Sequence, residues 1–248
     1  MTPPAGALLE LDRVSKRFGQ VVIADEVSLS LRPGDAVGIV GPNGAGKTSL
    51  FGVISGDLAP DAGEVRFGGS PVSGLDPAVR CRLGMGRTYQ VPRPFEHMSV
   101  FENVLVAAQQ GAGARGQASF ELAAEALARS SLEAEANRLA GQLGLLQRKR
   151  LELARALATR PRLLLLDEVA GGLTDPEMVE LVEVIRATRA AGVAVLWIEH
   201  VVRALTAMVD RLVCLAGGRV VADGTPSEVL ASAVVKEVFL GADAGAGP

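Results

Sequence analysis

Aromatic side chains are scarce. Seven Phe, one Tyr and one Trp make up 4% of the 248 residues. That is too few to line a stacking platform for bases or sugars, although a single ring can still matter. Cysteine is rarer. Cys81 and Cys214 cannot build a disulfide scaffold and suit a reducing compartment. With two histidines and no paired Cys/His cluster, a structural zinc site is not expected. Neither charge sign dominates: 25 Lys and Arg against 28 Asp and Glu leave a net charge of −3, so no overall basic field draws nucleic acid or anionic lipid. The longest apolar run, residues 193–198, has strand length and falls short of the roughly 18 residues that span a bilayer. The opening M-T-P-P-A-G-A lacks the basic start and apolar stretch of a secretion signal. Any work at a membrane is expected from its side.

What is present is an apolar fraction of 48% in a length that suits one large α/β domain. Its expected extent is residues 8–240, between small-residue tails at 1–7 and 241–248. Strands are predicted at 8–14, 27–31, 36–40, 65–67, 163–166, 193–198, 212–216 and 219–222. Helices are predicted from Lys47 onward and at 100–109, 120–139, 147–159, 176–191 and 201–208. Short, wholly apolar runs followed by helices mark a parallel sheet covered on both faces. No strand pattern occurs over about 91–160, which reads as a helical subdomain inserted into the α/β core.

Gly41-Pro42-Asn43-Gly44-Ala45-Gly46-Lys47-Thr48 matches G-x-x-x-x-G-K-[ST], and Ser49 continues it into the helix. The motif follows the strand A-V-G-I-V and opens a helical run, the context that a phosphate-binding loop requires. Glycine lets the backbone turn its N–H groups inward around phosphate oxygens, and the helix N-terminus adds partial positive charge at the same point. Lys47 can reach the β- and γ-phosphates, and Thr48 can hold Mg²⁺. Further on, L-L-L-L-D-E is a buried strand ending in Asp167 and Glu168. The first carboxylate can hold Mg²⁺ and the second can polarise an attacking water. Together the two motifs describe a P-loop nucleoside triphosphatase.

Three further stretches refine this. Gln90 ends L-G-M-G-R-T-Y-Q at the entry to the helical insert, L-E-L-A-R-A-L directly precedes the acidic strand, and His200 follows A-V-L-W-I-E. This order resembles the ATP-binding subunits of ABC transporters from about residue 8 to 241. Within that superfamily the chain looks most like the ATPases of branched-chain (hydrophobic) amino-acid importers. The stretches that carry this are V-S-K-R-F-G, G-R-T-Y-Q, M-S-V-F-E-N-V-L-V-A, W-I-E-H and G-T-P-S-E-V-L. R-T-Y-Q and the long insert resemble the larger of the two ATPases such importers use.

The resemblance implies ATP and Mg²⁺ as ligands. It implies Phe18 against the adenine, Glu168 as the residue that orients water, and Thr48, Gln90 and Asp167 at the metal. It implies His200 at the γ-phosphate. His97 has no such context and reads as a surface residue or as packing within the subdomain. The implied assembly is a pair of ATPase subunits, homo- or heterodimeric, sandwiching ATP against permease subunits on the cytoplasmic face of the inner membrane. An extracytoplasmic solute-binding protein serves the importer indirectly, and no nucleic acid is involved. Arg148-Lys149-Arg150 reads as a helix face.

Two loops depart from the family pattern. Where L-S-G-G-Q is usual, this chain has Leu143-Gly144-Leu145-Leu146-Gln147, and Thr174 stands where Asp is usual. Three alternatives stay open on sequence: a lipid or lipopolysaccharide exporter ATPase, a soluble non-transport ABC ATPase, and a binding module without turnover.

Overall fold

The computed structural model describes residues 6–244. Strands β1 (Leu9–Phe18) and β2 (Val21–Leu31) form an antiparallel hairpin, and β3 (Ala36–Val40) leads into helix α1 (Lys47–Ser55). Then come β4 (Ala62–Phe67), β5 (Ser70–Pro71), α2 (Pro77–Arg82) and β6 (Met85–Arg87). Three helices, α3 (Val100–Gln110), α4 (Gln117–Arg129) and α5 (Leu145–Ala158), precede β7 (Leu163–Asp167). The chain continues through α6 (Asp175–Ala190), β8 (Ala194–Ile198), α7 (Val202–Thr206), β9 (Arg211–Ala216), β10 (Arg219–Gly224), α8 (Pro226–Ala231) and α9 (Ala233–Ala244).

The strands form two sheets. One is antiparallel with order β2-β1-β4-β5; the other has six strands in the order β10-β9-β3-β8-β7-β6. In the second, the five strands from β9 to β6 run parallel, and β10 joins antiparallel at the edge, so the sheet is mixed. Successive side chains of a strand point to opposite faces, and in β7 both faces are buried. Leu163 and Leu165 join a core with α1 and the antiparallel sheet. Leu164 and Leu166 join a core with α3 to α7. This is why L-L-L-L reads as a continuous apolar run rather than an alternating one. The helix that opens at Lys47 therefore lies between two sheets.

The structure differs from the sequence expectations mainly at element edges. β1 and β2 are longer than predicted and meet at a turn carrying Gly19. Their outer halves hold exposed charged residues and bulges, with Arg13 and Glu26 at φ 45° and 52°, which breaks the alternation that would reveal them. The helix expected at 120–139 ends at Arg129. Ser131 adopts φ 53° and the chain continues in short 3₁₀ turns, since serine competes for backbone bonds and favours turns over helix interiors. α5 begins at Leu145, two residues before the predicted Gln147, because Gly144 is its N-cap. Helices α2, α8 and α9 and the three-residue β6 were not predicted. α9 runs through Ala244, into the stretch read as a tail; residues 1–5 and 245–248 lie outside the described residues.

Arg80 fixes the far end of α1. It is 1% exposed. Its guanidinium donates to the carbonyls of Val53 and Ile54 at the end of α1, and to those of Leu75 and Ser73. Burial lowers its pKa and the charge on Asp57 opposes the shift. Arg80→Met strands several buried carbonyls while relieving the desolvation of one charge. We expect a net loss of about 3 kcal/mol in urea-unfolding stability. An unchanged unfolding midpoint would refute the role of this cap.

Candidate functional site

The loop between β3 and α1 wraps a cleft of about 290 Å³ lined by Asn43, Gly44, Ala45, Gly46, Lys47, Thr48 and Ser49, with Ile23 on one wall. Two glycines are required by space as well as conformation. At Gly46, φ is 97° and a Cβ would fall 2.1 Å from the carbonyl oxygen of Ile23. At Gly41, φ is 150° and a Cβ would fall 2.0 Å from the carbonyl oxygen of Leu215. The loop is thus threaded between β2 and β9, and it delivers the first turn of α1 to the cleft. Lys47 is 6% exposed. Its Nζ donates to the carbonyls of Gly41 and Pro42 at 2.8 and 2.9 Å. Burial lowers its pKa, while Glu168 and Asp167 act in the opposite direction.

The end of β7 supplies the opposite wall. Thr48 Oγ1 donates to Asp167 Oδ1 at 3.3 Å. Asp167 is 1% exposed, and burial raises its pKa against the pull of Arg87. Glu168 stands in the left-handed region at φ 51°. Both of its carboxylate oxygens are held: Gln90 Nε2 donates to Oε2 at 2.5 Å, and His200 Nε2 lies 2.6 Å from Oε1. Gln90, Glu168 and His200 all line the same cleft as Lys47 and Thr48. Residues that are far apart in sequence meet here because β6, β7 and β8 are parallel neighbours, so the segments beyond their carboxyl ends open on one edge.

These groups suit a nucleotide with Mg²⁺. A buried lysine and the N-terminus of α1 face a cleft whose backbone has no room for larger side chains at Gly41 and Gly46, a cradle for phosphate oxygens. One hydroxyl and one carboxylate, both hard oxygen donors, adjoin each other at Thr48 and Asp167. Among the described residues no group of three or more His, Cys, Asp or Glu could form a metal cage. A cation here fits the pattern of Mg²⁺ held by one or two protein oxygens plus phosphate.

Phe18 stands apart. It ends β1, the residue is 49% exposed, Lys16 Nζ lies 5.5 Å from its ring centroid, and it is not among the residues lining the cleft. The loop 143–147 also lies apart from this chain's own cleft. There Gln147 Oε1 accepts from the Gly144 N–H at 3.1 Å, and its Nε2 donates to Glu135 at 3.0 Å. Thr174 is the N-cap of α6, and both its N–H and its hydroxyl donate to Glu177.

Three residues around the site escaped the sequence reading. Arg87 bonds Ser55 and Asp57 and lies 3.6 Å from Asp167 Oδ2. Its place at the end of a short edge strand gave no signal beyond the R-T-Y-Q pattern. Glu199 is 1% exposed and bonds the backbone at Ala170 and His200. Lys149, expected on a helix face, is turned inward and 5% exposed. Arg148 folds back onto the carbonyls of Gly141 and Leu143, and Arg150 pairs with Glu180, so the basic run splits in three directions.

The family described as ABC transporter matches residues 24–171. The high-affinity branched-chain amino acid transport ATP-binding protein BraF of Pseudomonas aeruginosa is 35% identical, with 94% of this chain and 98% of that protein covered. The lipopolysaccharide export system ATP-binding protein LptB of Escherichia coli is 32% identical, with 96% and 98% covered. A solved structure, the ADP conformation of MJ1267, an ATP-binding cassette of an ABC transporter, superposes with a TM-score of 0.85 at 30% identity, covering 95% of this chain and 99% of that one. With the phosphate loop, the acidic strand end and their shared cleft, these matches place the chain in the ABC transporter family, as an ATPase of the P-loop fold.

Proposed function

We propose that this chain binds and hydrolyses ATP with Mg²⁺ to energise an importer of branched-chain or related amino acids or amides. The observation that carries the ATPase chemistry is the convergence of Gln90, Glu168 and His200 on the cleft of Lys47 and Thr48. Lys47 binds the phosphates as a point charge, and α1 presents its N–H groups to them. Thr48 and Asp167 would hold Mg²⁺, which when bound would supply compensation for the charge of the phosphates. Glu168 orients the attacking water and takes its proton. Gln90 and His200 fix the carboxylate of Glu168, and His200 responds to the loss of the γ-phosphate. Catalysis here is positioning and charge compensation rather than covalent chemistry.

The importer reading is supported by the full-length similarity to BraF. Similarity to LptB at 32% identity keeps lipopolysaccharide export as a second reading. Two ATPase subunits are proposed to close on ATP against permease subunits, with the chain peripheral to the cytoplasmic face of the membrane. No helix among the described residues is long and apolar enough to cross a membrane. The residues of about 91–160 are proposed to move as a unit and to carry that closure to the permease. A second cleft of about 290 Å³ suits the docking role. It lies between β6 and the helices, with Asp57, Arg87, Tyr89, Glu152 and Arg155 in its lining. Beside it Val91 and Phe95 are exposed, and Arg93 and Arg87 flank the Tyr89 ring.

The test is uptake of labelled leucine into vesicles carrying the assembled transporter with its solute-binding protein. ATP-driven uptake is expected. Val91→Asp combined with Phe95→Ser should abolish uptake while ATP hydrolysis continues. ATP-driven release of lipopolysaccharide in place of uptake would establish the exporter reading. Normal uptake by the double variant would reject this docking surface.

A further inference from the structure

Glu168 is a non-glycine residue held at φ 51°, a conformation that persists only where its surroundings over-determine it. Its carboxylate is positioned by Gln90 and His200. Its backbone is held by a different set of groups. The Glu168 N–H donates to the Ile198 carbonyl at 2.9 Å. The Glu168 carbonyl accepts from Lys149 Nζ at 3.2 Å. Two residues on, the Ala170 N–H donates to Glu199 Oε2 at 2.9 Å. The other oxygen of Glu199 accepts from the N–H groups of His200 and Val201 at 3.0 and 3.4 Å. One buried carboxylate thus ties the segment that bears Glu168 to the segment that bears His200.

Burying a lysine and a glutamate is costly unless each charge is compensated. Lys149 and Glu199 are 5% and 1% exposed. Burial lowers the pKa of Lys149, and the charges of Glu199 and Glu168 oppose that shift. Neither side chain bonds the Glu168 carboxylate. Lys149 also belongs to the second turn of α5, which begins immediately after Gly144 of the altered loop. A displacement of that helix therefore bears directly on the backbone of Glu168.

We propose that Lys149 and Glu199 are positioning residues for Glu168, forming a buried strut that fixes its backbone and couples it to α5. The proposal rests on the reading of Glu168 as the residue that orients water. The resemblance to ABC ATPases implies a pair in which the loop at the start of α5 faces the partner's nucleotide. The strut would then link the nucleotide held by the partner to the water-orienting residue of this chain's own site.

The test uses the full chain, with the ATPase subunit that co-purifies with it or as a homodimer if none does. Lys149→Met keeps the length and removes the donor; Lys149→Arg keeps a cationic donor. In the nucleotide-free chain, Lys149→Met should speed amide exchange at residues 168–170 and leave the rest of α5 protected. It should lower kcat about tenfold or more while ATP affinity stays within about twofold, and Lys149→Arg should restore most of the rate. Glu199→Gln, which loses the charge and one acceptor, should act in the same direction and serves if Lys149→Met does not fold. Combined with Glu168→Gln, Lys149→Met should cause no further loss, because the strut acts only through Glu168.

Parent-like exchange and kcat in the Met variant would overturn the strut. So would additive losses in the double variant, or faster exchange along all of α5. Parent-rate hydrolysis by Glu168→Gln alone would instead overturn the reading of Glu168.

Discussion

Lys47→Ala should reduce ATP affinity by about two to four orders of magnitude. The ammonium offers charge-assisted bonds to phosphate oxygens, each contributing about 1.5–3 kcal/mol. Two such bonds correspond to about 3–6 kcal/mol, and each 1.4 kcal/mol is a factor of ten in affinity. Lys47 also donates to the carbonyls of Gly41 and Pro42, so alanine leaves the loop itself less well held. Lys47→Arg should also weaken binding, because a planar guanidinium replaces the compact ammonium that donates to the carbonyls of Gly41 and Pro42. Equilibrium titration with a fluorescent ATP analogue measures the affinity directly. Thermal unfolding gives an independent check: ATP should raise the melting temperature of the parent and barely move that of the variant. Parent-like affinity in the alanine variant would remove the phosphate-loop assignment.

How much of this was legible in the sequence follows from how local each signal is. The phosphate loop is contiguous, so its glycines, lysine and threonine declare themselves together, and the structure adds only why Gly41 and Gly46 have no alternative. The strand before Asp167 and Glu168 was plain as a strand, because both faces of β7 are buried, but its two carboxylates took on meaning only in company with the phosphate loop. Gln90 and His200 carry no chemistry in isolation and were identified through the family resemblance; the structure brings both to the carboxylate of Glu168. Lys149 could not be recognised within R-K-R, since the direction a helical side chain takes depends on what packs against the helix. Glu199 was hidden by its neighbour, because I-E-H draws attention to the histidine. Both contribute through backbone atoms of other segments, and that kind of pairing leaves no sequence pattern. The outer halves of β1 and β2 were missed for a related reason: their charged, bulged residues are paired to a sheet but not buried by it.

Glu168→Gln should keep ATP binding and slow hydrolysis by about two to four orders of magnitude, the range a positioned general base contributes. The size of the side chain is kept. Gln90 Nε2 donates to one carboxylate oxygen and His200 Nε2 lies 2.6 Å from the other, so the amide NH₂ that replaces one oxygen is brought against a nitrogen. A flipped Gln90 amide or the other histidine tautomer relieves that clash without disturbing the fold. An ATP-held closed pair should therefore accumulate. The altered loop then predicts an asymmetry between the two sites of a pair whose other subunit carries an intact L-S-G-G-Q. Gly144 offers no hydroxyl to a phosphate, and Leu146 adds a side chain where close backbone approach is usual. Gln147 is occupied within this chain, by the Gly144 N–H and by Glu135. The site built from this chain's Lys47 and Glu168 with the partner's loop keeps all its parts. The reciprocal site depends on the altered loop and should turn over slowly. Glu168→Gln here should abolish most steady-state hydrolysis by the co-purified pair, while the matching change in the partner costs less than about threefold. Equal losses from the two single variants would show that the altered loop supports turnover as well as an ordinary one, through the backbone N–H groups that remain at the start of α5.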